Sequence, residues 1–399
     1  MFIANTTHLY RLPLDVVDAE TLGSAAAAEV ERFLTFRDGH RATPLLDLPA
    51  LASSLGIGAL HIKDEGHRLG LGSFKVLGGS YAVIRLVLEE ASRALHRLVD
   101  VSELHDPAVR KIAGRMTVTC ATAGNHGRSV AHGAQLVGAR CVIFMHHGVS
   151  DGRVAAIARF GAEIMRVDAT YDDAVAECAR VAEANGWTVV SDSSWPGYER
   201  IPGLVMQGYT ALVREAQRQL EAPPTHVFVQ AGVGGIAATV AGYLALAQGA
   251  DRPVVVVVEP ARAACVFESA RAGTAVRIAA GEPTVMAMLE CYEPSLVAWR
   301  ILARTADGFM TVEEDEALAA VNRLARPMAG DPPLVAGESG GVGLAGLMQV
   351  AADAALRDAL GLDGGARVLL INTEGATDPA VYERVTGLSP ARVMAAAGD

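Results

Sequence analysis

The chain lacks an excess of positive charge. Its 34 Lys and Arg stand against 45 Asp and Glu, a formal net charge of −11 over 399 residues. Such a balance repels a phosphate backbone, so nucleic acid is not an expected partner, whereas cationic small molecules are favoured. Paired cysteines are also missing. Cys120, Cys141, Cys178, Cys265 and Cys291 are odd in number, widely spaced and never form C-x-x-C or a Cys/His cluster, which argues against a disulfide framework and against a metal site. No apolar run is long and uninterrupted enough to span a bilayer, so no membrane association is expected. The opening MFIANTTHLYRLPL lacks the charged and apolar regions of a signal peptide. The expected setting is a reducing cytoplasm. What is present in quantity is apolar: 51% hydrophobic and 20% charged residues exclude a disordered chain, and the length allows two or three domains.

Short β-branched runs alternate with helical patterns, which predicts an α/β fold of parallel strands joined by helical crossovers. Strands are expected at Leu60–Asp64, Thr117–Ala121, Cys141–Met145, Glu163–Val167, Thr225–Gln230, Pro253–Val258 and Ala366–Ile371. The five valines of Pro253–Val258 leave that strand no face for solvent. Helices are expected at Arg128–Val137, Asp151–Phe160 and Asp172–Ala184. The topology suggests a smaller α/β domain inserted at 79–192, with 1–78 and 193–399 forming a larger one. In open α/β sheets ligands sit beyond the carboxyl ends of strands, which directs attention to the turns there.

Four turns can carry chemistry. In Gly72–Gly79 a single lysine, Lys75, stands among small and apolar neighbours; burial would favour its neutral amine, able to attack a carbonyl and hold a Schiff base. Taken alone it reads as a surface lysine on an amphipathic helix; only its neighbours in the other turns reverse that. In Thr122–Gly127 two glycines open a helix where backbone N–H groups can receive a carboxylate. There Asn125 offers an amide donor toward a phenolate oxygen, and His126 is a polar contact or a satisfied core histidine. The turn Gly232-Val233-Gly234-Gly235 after a strand suits a phosphate dianion. As a dinucleotide fingerprint it would need glycine at the position of Ala237. Finally, Asp192–Trp195 and Thr373–Gly375 each close a strand: a general base and a hydroxyl for a heteroaromatic nitrogen, or else two helix caps.

Together these segments resemble the fold-type II pyridoxal-phosphate enzymes, the group of threonine and serine dehydratases, cysteine synthase and the tryptophan synthase β-chain. The likeness is carried by D-E-x-x-R-L-G-L-G-S-F-K-V-L-G-G (64–79), T-A-G-N-H-G-R (122–128), A-T-Y-D-D (169–173) and S-D-S-S-W-P-G-Y (191–198). It continues in I-P-G-L-V-M-Q-G-Y (201–209), Q-A-G-V-G-G (230–235), G-E-S-G-G-V-G-L (337–344) and N-T-E-G-A-T-D (372–378). Within the group the nearest likeness is to the ammonia-lyases acting on diaminopropionate. The resemblance implies two open parallel-sheet α/β domains with pyridoxal 5'-phosphate in the cleft between them, and a homodimer. Lys75 would bond the cofactor, Gly232, Val233, Gly234 and Gly235 would hold its phosphate, and Asn125 would face its ring hydroxyl. Thr373 would stand beside the pyridine nitrogen. Thr122, Gly124 and His126 would receive the substrate carboxylate, while Tyr171 and Trp195 would shape the leaving-group side. Asp192 or the released Lys75 would take the Cα proton.

The implied reaction is α,β-elimination of ammonia from 2,3-diaminopropionate to pyruvate. Asp192 is the better base, because its carboxylate also attracts the cationic β-ammonium. One departure stands out: members of the group similar to this chain have aspartate immediately before G-N-H-G, where this sequence has Ala123. Alanine takes no proton, so a preference for the L enantiomer is expected. The same residues would also serve a dehydratase or a β-replacement enzyme acting on another β-substituted alanine. A binding protein that lost turnover would not need Lys75, Asn125, Thr373 and Asp192 together, and a nicotinamide enzyme would leave Lys75 unexplained.

Overall fold

The computed structural model describes residues 1–122, 124–168 and 171–395, the side chains of Tyr171 and Asp172 excepted. The chain divides into two compact units. The larger is Met1–Ser24, Arg41–Phe74 and Leu212–Asp399; the smaller is Ala25–His40 and Lys75–Ala211. In chain order the strands are β1 (Phe2–Ala4), β2 (Leu45–Asp47), β3 (Ala59–Asp64), β4 (Thr117–Ala121), β5 (Arg140–His146), β6 (Glu163–Val167), β7 (Thr188–Val189), β8 (His226–Gln230), β9 (Val254–Pro260), β10 (Gly308–Val312) and β11 (Arg367–Asn372).

The larger unit holds a seven-stranded sheet in the order β1-β10-β9-β8-β11-β3-β2, parallel at its five central strands and antiparallel at both edges. Every residue of β8 and β10 is buried, and so are six of the seven in β9, which fits a sheet covered on both faces. The smaller unit holds an all-parallel sheet, β6-β5-β4-β7. The seven expected strands are present with ends shifted by at most two residues. No periodicity announced β1, β2, β7 or β10. The first three have only two or three residues, and β10 opens on Gly308, where a Cβ would meet the Phe2 ring at 2.4 Å.

The smaller unit departs from the insert at 79–192. Residues 25–40 join it, and its chain ends at Lys75 and Ala211. One reason is the helix Ser24–Thr35, whose buried face of Ala26, Ala27, Val30, Phe33 and Leu34 includes a ring that meets Tyr81 edge-on at 5.0 Å. The other is that the helix Lys75–Leu95 runs unbroken through Gly78-Gly79, so no boundary falls at 79.

Those two glycines serve packing. A Cβ at Gly79 would lie 2.6 Å from Ser129 Oγ, on the helix Asn125–Val137, and one at Gly133 would lie 2.8 Å from Ser80 Cα. The close approach lets Ser80 N–H donate to Ser129 Oγ (3.0 Å), Ser80 Oγ to Ser129 O (3.0 Å) and Ser129 Oγ to the carbonyl of Lys75 (2.7 Å). On the other side, a Cβ at Gly78 would meet Tyr209 Cε1 at 2.4 Å and Val205 O at 2.6 Å.

In the larger unit the D-E-x-x-R segment becomes a buried ion network. Arg68, fully buried, donates to both carboxylate oxygens of Glu65 (2.8 and 2.9 Å) and of Glu215 (2.6 and 2.8 Å), and Lys63 Nζ lies 3.0 Å from Glu215. It anchors the end of β3 and the chain that leads toward Lys75.

Overpacking should therefore outweigh helix propensity at Gly78. Gly78→Ala gains about 1 kcal/mol as a helix former but is expected to lose about 1–3 kcal/mol in strain, a net fall in stability read as a lower Tm. A higher Tm would contradict this account of the contact.

Candidate active site

In the smaller unit, β4 ends at Ala121 and β7 at Val189, and the turns that follow carry the polar residues. Lys75, the first residue of its helix, places its Nζ in direct contact with Asp192 Oδ2, each side chain about one-fifth exposed. The lysine is thus not in purely apolar surroundings: a carboxylate faces it. Asp192 begins no helix, so it is not a cap; the next helix, Arg200–Gln219, starts eight residues on.

The Asp192 turn is held from both sides by Tyr198, whose Oη donates to Val189 O (2.8 Å) and accepts from Ser191 N–H (3.1 Å). Trp195 stacks on the Tyr198 ring at 4.2 Å and 13° and remains 41% exposed, able to line a binding face. His126 Nε2 lies 2.8 Å from Val190 O. A carbonyl only accepts, which puts the proton on Nε2 and turns Nδ1 toward Asp192 Oδ2, 3.8 Å away. His126 is therefore half satisfied: Nδ1 is buried with no hydrogen-bond partner among the described residues. Burial lowers the His126 pKa and favours the neutral ring. Burial also opposes the charge of Asp192, but the Lys75 ammonium in contact with it, with His126 adding to the pull only when its ring is protonated, outweighs burial and holds the carboxyl well below the usual range.

The turn before Asn125 is shaped by Thr122, whose Oγ1 accepts from the N–H of Gly124 (3.1 Å) and Gly127 (3.3 Å). Arg128 donates to Asn125 Oδ1 at 2.6 Å, which orients the amide with its NH₂ on the other side. Lys75, Asp192 and His126 are thus brought together, with Thr122, Gly124 and Asn125 on the turn that bears His126. The side chain of Tyr171, and Ala123 altogether, lie outside the described residues.

The larger unit carries the other candidates. Gly232–Gly235 joins β8 to the helix Gly235–Gln248, with Gly234 in the left-handed region at φ +94°, a conformation that favours glycine. The first-turn N–H groups have no acceptor within the helix, and they suit an anion. The turn is braced by Ser295 N–H on Val233 O (2.9 Å) and by the Cys265 thiol on Gly232 O (3.6 Å). Thr373, 4% exposed, follows β11; it caps no helix, since the next one starts at Pro379. Its hydroxyl oxygen lies 2.9 Å from Gln230 Nε2.

Sequence reasoning gave no role to Gln230, Tyr198 or Ser129. For Gln230 a signal existed: an amide ending the otherwise buried strand H-V-F-V-Q must find partners. Nothing in the sequence pairs Tyr198 or Ser129 with the backbone they hold. Among the described residues no group of His, Cys, Asp and Glu could hold a metal ion, and no helix is long and apolar enough to cross a membrane.

The profile of the family described as "Pyridoxal-phosphate dependent enzyme" matches residues 36–374, and the chain belongs to that family. Its cofactor is pyridoxal phosphate. Among curated proteins it is similar to the diaminopropionate ammonia-lyase of Escherichia coli (strain K12), 39% identical over 354 residues and 87% of each chain. Two crystal structures of the Escherichia coli enzyme, each 35% identical and covering 97% of this chain and 96% of the other, superpose well. They are the complex with the aminoacrylate-PLP azomethine reaction intermediate (TM-score 0.86) and the complex with D-serine (TM-score 0.87).

The residues fit the cofactor. An aldehyde needs an amine, and the chain has three lysines: Lys63, spent in the buried ion network, Lys111, exposed on the helix Pro107–Ala113, and Lys75. A helix start opened by glycine, such as Gly232–Gly235, suits a phosphate. Borohydride reduction of the cofactor-loaded protein should therefore fix the pyridoxyl group on the peptide containing Lys75, read by mass spectrometry. Label on Lys63 or Lys111 would overturn the assignment.

Next to the glycine turn, Glu259 is fully buried and accepts N–H groups from Val266 (2.9 Å) and Phe267 (2.6 Å). Burial pushes its carboxyl up to about 8 against the pull of those bonds. The folded chain then holds a proton that the unfolded chain, near 4.5, has released, so stability falls as pH rises through that window. Glu259→Gln should flatten the decline in denaturant midpoint between these two pH values; an unaltered slope would contradict the assignment.

Proposed function

We propose that this chain eliminates ammonia from 2,3-diaminopropionate, the L form preferred, giving pyruvate and a second ammonia with uptake of one water. The observation that carries the reading is the contact of Lys75 Nζ with Asp192 Oδ2, joined to the family membership and to the similarity with enzymes of that activity. Bound pyridoxal phosphate supplies the electron sink for charge developing at the substrate α-carbon.

The chain's own residues do the rest. Lys75 Nζ releases its proton to water and leaves a neutral amine, the form that can act as nucleophile, while Asp192 stays ionised. The Thr122–Gly127 turn, with Gly124 and His126, receives the substrate carboxylate. Asn125 faces the cofactor's ring hydroxyl, Gly232, Val233, Gly234 and Gly235 bind its phosphate, and Thr373 meets its pyridine nitrogen. Asp192 attracts the substrate's β-ammonium and takes the Cα proton, while Trp195 and Tyr171 shape the leaving-group side. The L preference rests on Ala123, which offers no second carboxylate. We further infer a homodimer in a reducing cytoplasm, a setting supported by four buried cysteine thiols, Cys120, Cys141, Cys178 and Cys265, that form no disulfide.

Pyruvate release from each enantiomer of 2,3-diaminopropionate tests both parts. The L form should turn over faster, and equal rates would remove the stereochemical reading. Asp192→Asn should keep the cofactor absorbance yet lose about 10²- to 10⁴-fold in kcat. Pyruvate from neither enantiomer, with product only when a nucleophile is added, would replace elimination with β-replacement.

A further inference from the structure

We infer that the smaller unit holds a site for one monatomic anion, a halide such as chloride, on the guanidinium of Arg37. The site lies apart from the reacting groups.

Arg37 follows the helix Ser24–Thr35 and is 7% exposed. Among the described residues its side chain makes one hydrogen bond, from Nη2 to His132 Nδ1 at 3.0 Å, and no carboxylate pairs with it. A guanidinium only donates, so Nδ1 accepts and the neutral ring keeps its proton on Nε2. The ring is neutral because burial, helped by the charges of Arg37 and Arg159, pushes its pKa down to about 4. Burial lowers the Arg37 pKa too, to about 10, and no acid draws it back up; at neutral pH the group is still a cation. Arg68 shows the contrast. It is buried more deeply still, but it meets the carboxylates of Glu65 and Glu215. A buried cation is costly unless it is paired. In a chain of net charge −11, none of the described acids stands at Arg37.

The space beside Arg37 suits a small ion. Arg37 lines a cavity with Val30, Phe33 and Leu34 on its own side and Leu77, Tyr81 and Ile84 of the helix Lys75–Leu95 on the other. About 10 Å³ is open there, room for one occupant close to the size of a water molecule. A water satisfies a donor and leaves the charge unbalanced. A halide answers both needs, whereas sulfate and phosphate are too large. His132, which Arg37 holds, stands on the helix Asn125–Val137. Arg37 thus joins three helices, two of which begin at Lys75 and Asn125, and an anion that balances its charge strengthens that junction.

Crystals of the full chain soaked in bromide and measured at the bromine absorption edge test the site directly. An anomalous peak beside Arg37 is expected, and its absence overturns the inference without any variant. In solution, thermal unfolding is followed as chloride replaces gluconate at constant ionic strength. Because the ion binds the folded chain, Tm should rise by about 1–3 °C and then level off. A flat response overturns the inference, and so does one that climbs without saturating, which is a general salt effect. Arg37→Met keeps an extended side chain without the charge and should lose both the peak and the saturating rise. Either one retained in that variant overturns the role of Arg37.

Discussion

An ammonium held against a carboxylate is the contact around which the smaller unit is arranged. Lys75 and Asp192 are 117 positions apart, and each is fixed by groups that do no chemistry. The backbone of Lys75 is tied through its carbonyl to Ser129. Asp192 sits on a turn pinned at Val189 and Ser191 by one tyrosine hydroxyl, with an imidazole whose proton is committed elsewhere. A side chain displaced by 1 Å loses much of its reactivity even when its identity is kept. The supporting bonds are thus as much part of the site as the pair they hold.

That support depends on backbones approaching closely. Helices with ordinary side chains pack 8–10 Å apart. Gly78, Gly79 and Gly133 remove the Cβ atoms that would keep Lys75–Leu95 away from its neighbours, and the serines Ser80 and Ser129 use the space to bond across it. The glycines after the lysine are therefore explained by packing, while Gly234 in the other unit is explained by its positive φ. The same residue type answers two different requirements, one for room and one for a backbone direction.

Much of this was legible in the sequence because parallel sheets bury both faces and leave nearly continuous apolar runs. The central strands were found for that reason, and the turns at their carboxyl ends followed. Edge strands of two or three residues carry no such pattern, and β1 and β2 went unseen. The domain division was misplaced at both ends of the insert because contacts decide it: Phe33 on Tyr81 draws the helix Ser24–Thr35 into the smaller unit. Lys75 and Asp192 stood out as reactive types on two separate turns, family resemblance linked them, and their side chains meet. Tyr198 and Ser129 did not stand out, since a residue that acts by holding another is defined by distances that no spacing in the chain encodes.

One carboxylate facing Lys75 also imposes an order of events. Asp192 is attractive to two cations, the Lys75 ammonium and the β-ammonium of the proposed substrate. Two like charges 4 Å apart repel by about 4 kcal/mol at the screening typical of a protein surface. They cannot share the carboxylate at little cost, so the substrate's ammonium gains Asp192 only when Lys75 has given up its charge. The pairing that quiets the lysine in the resting protein thus becomes, once the lysine is neutral, the feature that draws the leaving group into place. A neutral β-substituent, such as a hydroxyl, would gain nothing from the exchange. That difference favours an ammonium over a hydroxyl as the group expelled.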